Sequence, residues 1–348
     1  MNTIKRAFLL MMVLILPACN APGLGTIHIA AAPPPANTPL APLVTSSPDA
    51  TPTPTPFQPV PPTPMFVPTE FPTPTLTPHP TATLDPASQA GPAGDLSGAS
   101  DQITILLLGS DQRPWAVNFR TDTIILVVIK PSQGTVSMVS FPRDLYLHIP
   151  GFTMERINTA YYRGGFNTLA DTFEYNFGIR PQHFVLINFS SFKRAVDSLG
   201  GLTVNVGQPV SDYFPGRGYI TIPKGEKQMD ADLVLWYVRS RKTSNDFARS
   251  RRQQEVLMAI FKKLLSLNAL RRVPEFYSTY KDSVKTDLGL RDMINLLPLA
   301  TKLTDTSRIH SYFIGPKQVY DWITPGGGMV LLPRPGAIKQ LLNRVLQE

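Results

Sequence analysis

Past Asp101 the apolar residues gather into short, nearly unbroken runs. Residues 103–108 are apolar except for Thr104 and end at Gly109-Ser110-Asp111; residues 123–129 and 135–141 repeat the pattern between turn formers. Runs of this length, rich in β-branched residues, predict strands covered on both faces. Lys130-Pro-Ser-Gln-Gly134 supplies a hairpin connection between the second and third. Residues 168–177 and 190–199 change to helical spacing, with a strand at 183–188 between them. The second helix stops at Gly200-Gly201. A longer helix is predicted from about 250 to 267, with Val256, Leu257, Ile260, Phe261, Leu264 and Leu265 as its core-facing stripe. Tyr237-Val238-Arg239-Ser240-Arg241 alternates like a strand, which would put both arginines on one face. Strands interleaved with helices predict an α/β domain, with helices on both faces of a mixed sheet.

The region before Asp101 cannot belong to that domain. Of the chain's 36 prolines, 20 fall in residues 31–100, a stretch of Pro, Thr, Ala and Ser that includes Thr51-Pro-Thr-Pro-Thr-Pro56. Such a composition cannot bury a core and predicts an extended, semi-rigid spacer with a reach on the order of 200 Å. Ahead of it, Lys5 and Arg6 precede an apolar run at 7–16 and then Leu16-Pro17-Ala18-Cys19. This is the layout of an export signal, and the chain's single cysteine stands where a bacterial lipoprotein signal is cut and acylated. The run is short of the roughly 20 residues that span a bilayer, so Cys19 is read as a lipid anchor in preference to a spanning helix. The reading divides the chain into a signal at 1–19, a disordered stalk at 20–100, a core at 101–268 and a C-terminal extension at 269–348. It places the core at the outer face of the cytoplasmic membrane.

From Asp101 onward, 31 Lys and Arg face 21 Asp and Glu, a net of +10. That excess points to polyanionic partners without choosing among phosphate, anionic lipid and nucleic acid. One cysteine excludes a disulfide scaffold and every multi-cysteine metal site, and the five histidines show no ligand spacing.

The polar residues then fall at strand ends, where α/β sheets bind ligands. Asp111 follows the first strand, Arg120 and Asp122 precede the second, and Arg143 and Asp144 follow the third. Arg249 and Gln253 are four apart and share a face near the start of the long helix. Each alone is most simply a cap, a turn residue or a solvated charge. Together, paired carboxylates suit Mg²⁺, which takes one or two of them plus substrate phosphates, and arginine forks match phosphate oxygens. The set reads as a Mg²⁺–pyrophosphate site. There is no P-loop and no Gly-rich dinucleotide fingerprint, which disfavours an ordinary nucleotide enzyme.

Six ordered blocks carry a resemblance over roughly residues 103–265. They are Leu107-Leu-Gly-Ser-Asp111, Arg120-Thr-Asp-Thr123, Phe141-Pro-Arg-Asp144 with Arg156-Ile-Asn-Thr-Ala-Tyr161, Leu199-Gly-Gly-Leu202, Tyr237-Val-Arg-Ser-Arg241, and Asp246-Phe-Ala-Arg-Ser-Arg-Arg-Gln253. The sequence resembles the LytR-CpsA-Psr proteins of bacterial envelopes. That resemblance implies a three-layer α/β/α sandwich around a mixed sheet, with an apolar interior for a polyprenyl chain. It implies transfer of a glycopolymer from an undecaprenyl-pyrophosphate carrier to peptidoglycan, with Mg²⁺, or Mn²⁺ in its place, at the pyrophosphate. Carried over, Asp111 and Asp122 are the metal-side carboxylates. Arg120, Arg143, Arg239, Arg241 and Arg249 form the pyrophosphate clamp, with Gln253 beside them. Arg120, Arg143 and Asp144 are the catalytic candidates, and Asp122 or Asp144 the candidate base. The chain departs from the family's Asp-Phe-Gly-Arg at Ala248, which makes the placement of Arg249 a question, because alanine lacks glycine's freedom at positive φ.

Three rival readings use the same residues: a polyprenyl-pyrophosphate phosphatase with water as acceptor, a non-catalytic carrier or wall-glycan binder, and a transcriptional regulator. The export signal argues against the last and against any nucleic-acid partner.

Overall fold

β1 (Ile103–Ser110), β2 (Thr121–Lys130) and β3 (Thr135–Phe141) pair antiparallel in sequence order. Every residue of β2 from Ile124 to Lys130 is buried, which explains its unbroken apolar run. The chain is seen in a computed structural model that describes residues 91–94, 96, 101–113, 119–241, 246–266 and 284–348. The signal-like segment, Cys19 and nearly all of the proline-rich stretch lie outside the described residues. Two of the later residues of that stretch are bound to the domain: Ala93 donates to Tyr175 O and Leu96 to Gly178 O.

After β3 the chain makes a hairpin of β4 (Tyr146–His148) and β5 (Met154–Arg156), then α1 (Ala160–Phe177), β6 (His183–Asn188) and α2 (Phe189–Ser198). β7 (Leu202–Val206) pairs with β10 (Gly225–Met229), and between them β8 (Val210–Phe214) and β9 (Gly218–Ile222) form a separate ribbon. Then come α3 (Ala231–Arg239), α4 (Asp246–Ser266), β11 (Lys285–Thr286), α5 (Leu290–Asn295) and α6 (Leu297–Lys302). β12 (Ile309–Phe313), the hairpin of β13 (Val319–Ile323) and β14 (Met329–Pro333), and α7 (Pro335–Gln347) complete the chain.

The central sheet runs β11-β6-β1-β2-β3-β12. β6 is parallel to β1 and β12 parallel to β3, so the sheet is mixed. Both edge strands come from beyond residue 269, so the C-terminal region completes the central sheet. Alternation along β2 divides two cores. Ile125, Val127 and Ile129 pack with α2 to α6; Ile124, Leu126 and Val128 pack with Leu169, Phe173 and Phe177 of α1 and Leu342 and Val345 of α7. This is the three-layer α/β/α sandwich that the resemblance implies. Among the described residues no helix is long and apolar enough to cross a membrane.

Two elements differ from the sequence reading. α1 begins eight residues before the predicted helix, with a break at Gly164–Gly165. Gly165 has φ +73°, where a side chain would cost roughly 1–2 kcal/mol. More consequentially, residues 237–241 are not a strand. Tyr237 to Arg239 are the last turn of α3, and Ser240 turns to extended backbone. The helix is set upstream, where Asp230 caps Leu233 N at 2.8 Å and Val234, Trp236 and Tyr237 face the core. The alternation across 237–241 spans a helix end and its exit.

Candidate functional site

β1 and β3 end, and β2 begins, at one edge of the sheet, so Asp111, Asp122, Arg143 and Asp144 come together there by topology alone. Arg120 N donates to Asp111 Oδ1 at 3.0 Å, closing the turn region between β1 and β2. Arg143 Nη1 meets Asp122 Oδ1 at 2.6 Å, its Nε faces Asp144 Oδ2 at 3.4 Å, and Arg156 Nε meets Asp144 Oδ1 at 3.1 Å. Burial works against the charge of Arg143. The hydrogen bond and charge of Asp122, with Asp144 and Asp246 behind them, more than restore it and hold the guanidinium above its ordinary range.

The helices bring the second half. α4 starts at Asp246, whose carboxylate takes Arg241 Nη2 at 3.1 Å on one oxygen and Arg249 Nη2 at 2.8 Å on the other. Arg249 is only 5% exposed, and its Nε has no hydrogen-bond partner among the described residues. Burial pushes this guanidinium down to about 10; Asp246 opposes the shift, while Arg241 and Arg143 add to it. A desolvated cation with an unused donor, crowded by two more cations, is the arrangement an anion relieves. An orphaned buried donor costs roughly 1–3 kcal/mol until something accepts from it. Ala248 lies within the first turn of α4 in ordinary helical conformation, so no glycine is needed there to place Arg249.

Around this pair, other groups fix the backbone. Buried Asp212 on β8 accepts from Ser240 Oγ at 2.7 Å and Arg241 N at 2.8 Å. Arg252 Nε donates to Tyr237 O at 2.8 Å and its Nη2 to Ser240 O, satisfying carbonyls at the end of α3. Gln254 ties α4 to β3 through Ser140 Oγ at 2.7 Å.

Of the residues singled out from the sequence, Asp122, Arg143, Asp144, Arg241 and Arg249 form one contiguous network. Arg239 reaches the same edge differently, lying 4.5 Å above the ring of Phe189, just past the end of β6. Arg120 is exposed, and Gln253 is half-buried one turn beyond Arg249. The sequence reading gave no role to Asp246, Arg156 or Asp212. Asp246 carried the signal of an acid at a helix start three residues before an arginine, which reads equally well as a cap. Arg156 reaches Asp144 across the β4–β5 hairpin, and Asp212 reaches the end of α3 from β8, and neither contact is marked by a local motif.

The same edge can be asked whether it fits Mg²⁺. Asp122 Oδ2 is left out of the ion pair with Arg143, and Asp111 Oδ2 is likewise not taken by the Arg120 amide. Among the described residues no three of His, Cys, Asp and Glu gather closely enough to hold a metal unaided. Two carboxylates, each with an oxygen that takes no partner among the described residues, beside a cluster of arginines fit an ion whose remaining ligands are substrate oxygens and water.

The sequence profile of the LytR_cpsA_psr family matches residues 79–322, more than two thirds of the chain. The polyisoprenyl-teichoic acid–peptidoglycan teichoic acid transferase TagT of Bacillus subtilis (strain 168) is 32% identical over 229 residues, which cover 63% of this chain and 71% of TagT. TagU of the same strain, which carries the same transferase name, is 34% identical over 196 residues, covering 56% of this chain and 62% of TagU. The chain thus spans less than two thirds of TagU. The solved structure of TagT bound to LIIa-WTA superposes with a TM-score of 0.59 at 29% identity, over 74% of this chain and 95% of that one. Sequence blocks, sandwich and profile agree: the chain belongs to the LytR-CpsA-Psr family.

Proposed function

We propose that this protein is an extracytoplasmic phosphotransferase that moves a glycopolymer from an undecaprenyl-pyrophosphate carrier to a sugar hydroxyl of peptidoglycan. The observation that carries the reading is Arg249, buried, short of an acceptor and pressed by Arg143 and Arg241. Relatives named as polyisoprenyl-teichoic acid–peptidoglycan transferases support the substrate classes. Arg143, Arg241 and Arg249 grip the pyrophosphate through forked donors, with Arg239, Arg120 and Gln253 at its margins. The hydroxyl oxygen attacks the phosphorus bearing the glycopolymer, the bond to the bridging oxygen breaks, and lipid phosphate leaves with the electron pair. The hydroxyl proton passes to solvent. A loose phosphoryl-transfer transition state asks little of a base, so Asp144, with both oxygens facing guanidinium groups, is assigned a positioning role. Asp111 and Asp122 would hold Mg²⁺, or Mn²⁺ in its place, which when bound neutralises charge on the phosphates. Cys19 carries the lipid that keeps the domain at the outer face of the cytoplasmic membrane.

The test is product analysis with a polyprenyl-pyrophosphate-linked glycan, with and without peptidoglycan. The transferase reading expects lipid phosphate to appear only with the acceptor, and the label to enter the wall fraction. Equal release without acceptor would make the protein a phosphatase, and binding without turnover a carrier protein.

A further inference from the structure

Beside the arginine cluster stands the β8–β9 ribbon, which the mechanism above does not use. Its inward face is apolar apart from Asp212: Val210, Phe214 and Ile222 are buried in the core under the sheet. Its outward face has a different chemistry. Tyr213 and Tyr219 are cross-strand partners, 5.9 Å apart and edge to face, yet 52% and 70% exposed. The next pair on that face is Ser211 and Thr221, whose hydroxyls are hydrogen-bonded at 2.7 Å. The ribbon is held firmly: Trp236 Nε1 donates to Tyr213 O at 2.9 Å, and at its turn Arg217 lies 4.9 Å over Phe214. Tyr213 directly follows Asp212, whose carboxylate takes the amide of Arg241. The inward face of the ribbon thus fixes the backbone that carries Arg241, and the outward face, on the other side of the same strands, adjoins that segment.

We propose that this face is a subsite for the acceptor, the uncharged amino-sugar strand of peptidoglycan; the proposal rests on the transferase reading for the identity of that acceptor. A pyranose ring offers an apolar C–H face and a rim of hydroxyls. Two exposed aromatic rings with a pair of hydroxyls alongside match both, since tyrosine combines apolar contact area with a polar tip. The four outward side chains carry no formal charge in a domain of net +10, which suits a neutral sugar backbone better than a phosphate-rich donor polymer. A bilayer-inserting tip would present aliphatic side chains at its end. Here the turn is Pro215-Gly216-Arg217-Gly218, whose one charged side chain lies over Phe214 and 3.8 Å from Asp230.

The experiment is co-sedimentation of the full-length protein with purified insoluble peptidoglycan, run alongside anionic phospholipid vesicles and a short-chain polyprenyl pyrophosphate. The Tyr213→Ala/Tyr219→Ala double variant should lose peptidoglycan binding by on the order of tenfold or more, about one decade for each 1.4 kcal/mol removed. Its pyrophosphate binding and vesicle binding should be unchanged, and in the transfer assay KM for acceptor should rise while kcat holds. The Tyr213→Phe/Tyr219→Phe variant, which keeps the rings, should bind nearly as well as the parent, so a folding defect in the alanine variant would show as a difference in melting temperature between the two. Sedimentation of the alanine variant like the parent, or loss of vesicle binding in its place, would overturn the subsite. Tyrosine-dependent peptidoglycan binding in a protein that transfers nothing would leave the subsite standing and remove the transferase reading.

Discussion

The two halves of the candidate site are built in opposite ways. The sheet half, Asp111, Asp122, Arg143 and Asp144, sits on strand ends, and its charges neutralise one another: Arg143 lies between two carboxylates, and Arg156 backs one of them. The helix half carries excess positive charge. Among the described residues Asp246 is the carboxylate ion-paired with both Arg241 and Arg249, and Asp122 acts on Arg249 only through its charge. The Nε of Arg249, unlike those of Arg143 and Arg156, has neither a hydrogen bond nor a facing carboxylate among the described residues. A balanced half gives geometry without a ligand; an unbalanced half leaves positive charge that, in the proposed reaction, a pyrophosphate would meet. In the proposed reaction the difference assigns most of the binding energy to the start of α4 and orientation to the strand ends, where Arg143 both orients the phosphates and holds them.

If that division is right, Arg249 is the most sensitive residue. Arg249→Ala should lower transfer by on the order of 10²–10³, the usual effect of removing one preorganised donor. Arg249→Lys should recover little, because an ammonium cannot supply two parallel donors. Steady-state transfer and binding of a polyprenyl pyrophosphate, with a melting curve for each variant, would check this. An Arg249→Lys protein with near-parental activity would break the comparison. The same residue gives a pH signature. Its guanidinium, lowered to about 10, is charged throughout the neutral range and loses its proton as pH rises past that value. Pyrophosphate affinity should therefore be flat from pH 7 to 9 and fall above about 10, and Arg249→Ala should lack the fall.

Asp246 sharpens the comparison at the next level. Asp246→Asn keeps the shape but releases both arginines, and should weaken pyrophosphate-dependent transfer on the order of tenfold. A double-mutant cycle with Arg241→Ala should show a coupling of about 1–2 kcal/mol, the size seen for residues sharing one network. Additive effects would mean that Asp246 holds neither arginine in the working state.

How much of this was visible in the sequence follows the same division. The sheet half was legible because buried strands write themselves as apolar runs, and the polar residue that ends a run is then at the sheet edge. The helix half was partly misread. Tyr237-Val-Arg-Ser-Arg241 has a local period of two, whereas the helical signal lies upstream, in the Asp230 cap and the buried spacing of Val234, Trp236 and Tyr237. Arg239 and Arg241 consequently share an edge of the sheet but not a strand face. Asp246 has a local partner in Arg249 at a spacing that reads equally well as a helix cap, whereas Asp212 is hidden because its partners Ser240 and Arg241 are fixed by tertiary packing, which no local pattern encodes. The placement of β11 and β12 at the two sheet edges was hidden for the same reason.

The sheet half should be more forgiving. Arg156→Ala removes one of two guanidinium contacts to Asp144 and a donor to Met329 O at 2.9 Å, leaving Arg143 attached to Asp122. Transfer should fall several-fold, mainly in kcat, with pyrophosphate binding almost unchanged. Equal losses in both would show that the sheet half supplies binding energy after all.

Arg120 should matter least, and differently. Its backbone amide is fixed by Asp111, but its side chain is exposed at the margin of the cluster. An exposed charge beside a cationic site acts mainly by steering an anionic ligand, an effect that salt screens within about 8–10 Å at physiological strength. Arg120→Ala should then slow association of the pyrophosphate lipid by a few-fold at low salt, with a smaller difference at 0.5 M salt and no change in dissociation. Stopped-flow binding at two ionic strengths would read both rates. A salt-independent loss, or one carried by dissociation, would place the Arg120 guanidinium on the phosphate itself and move it into the binding half.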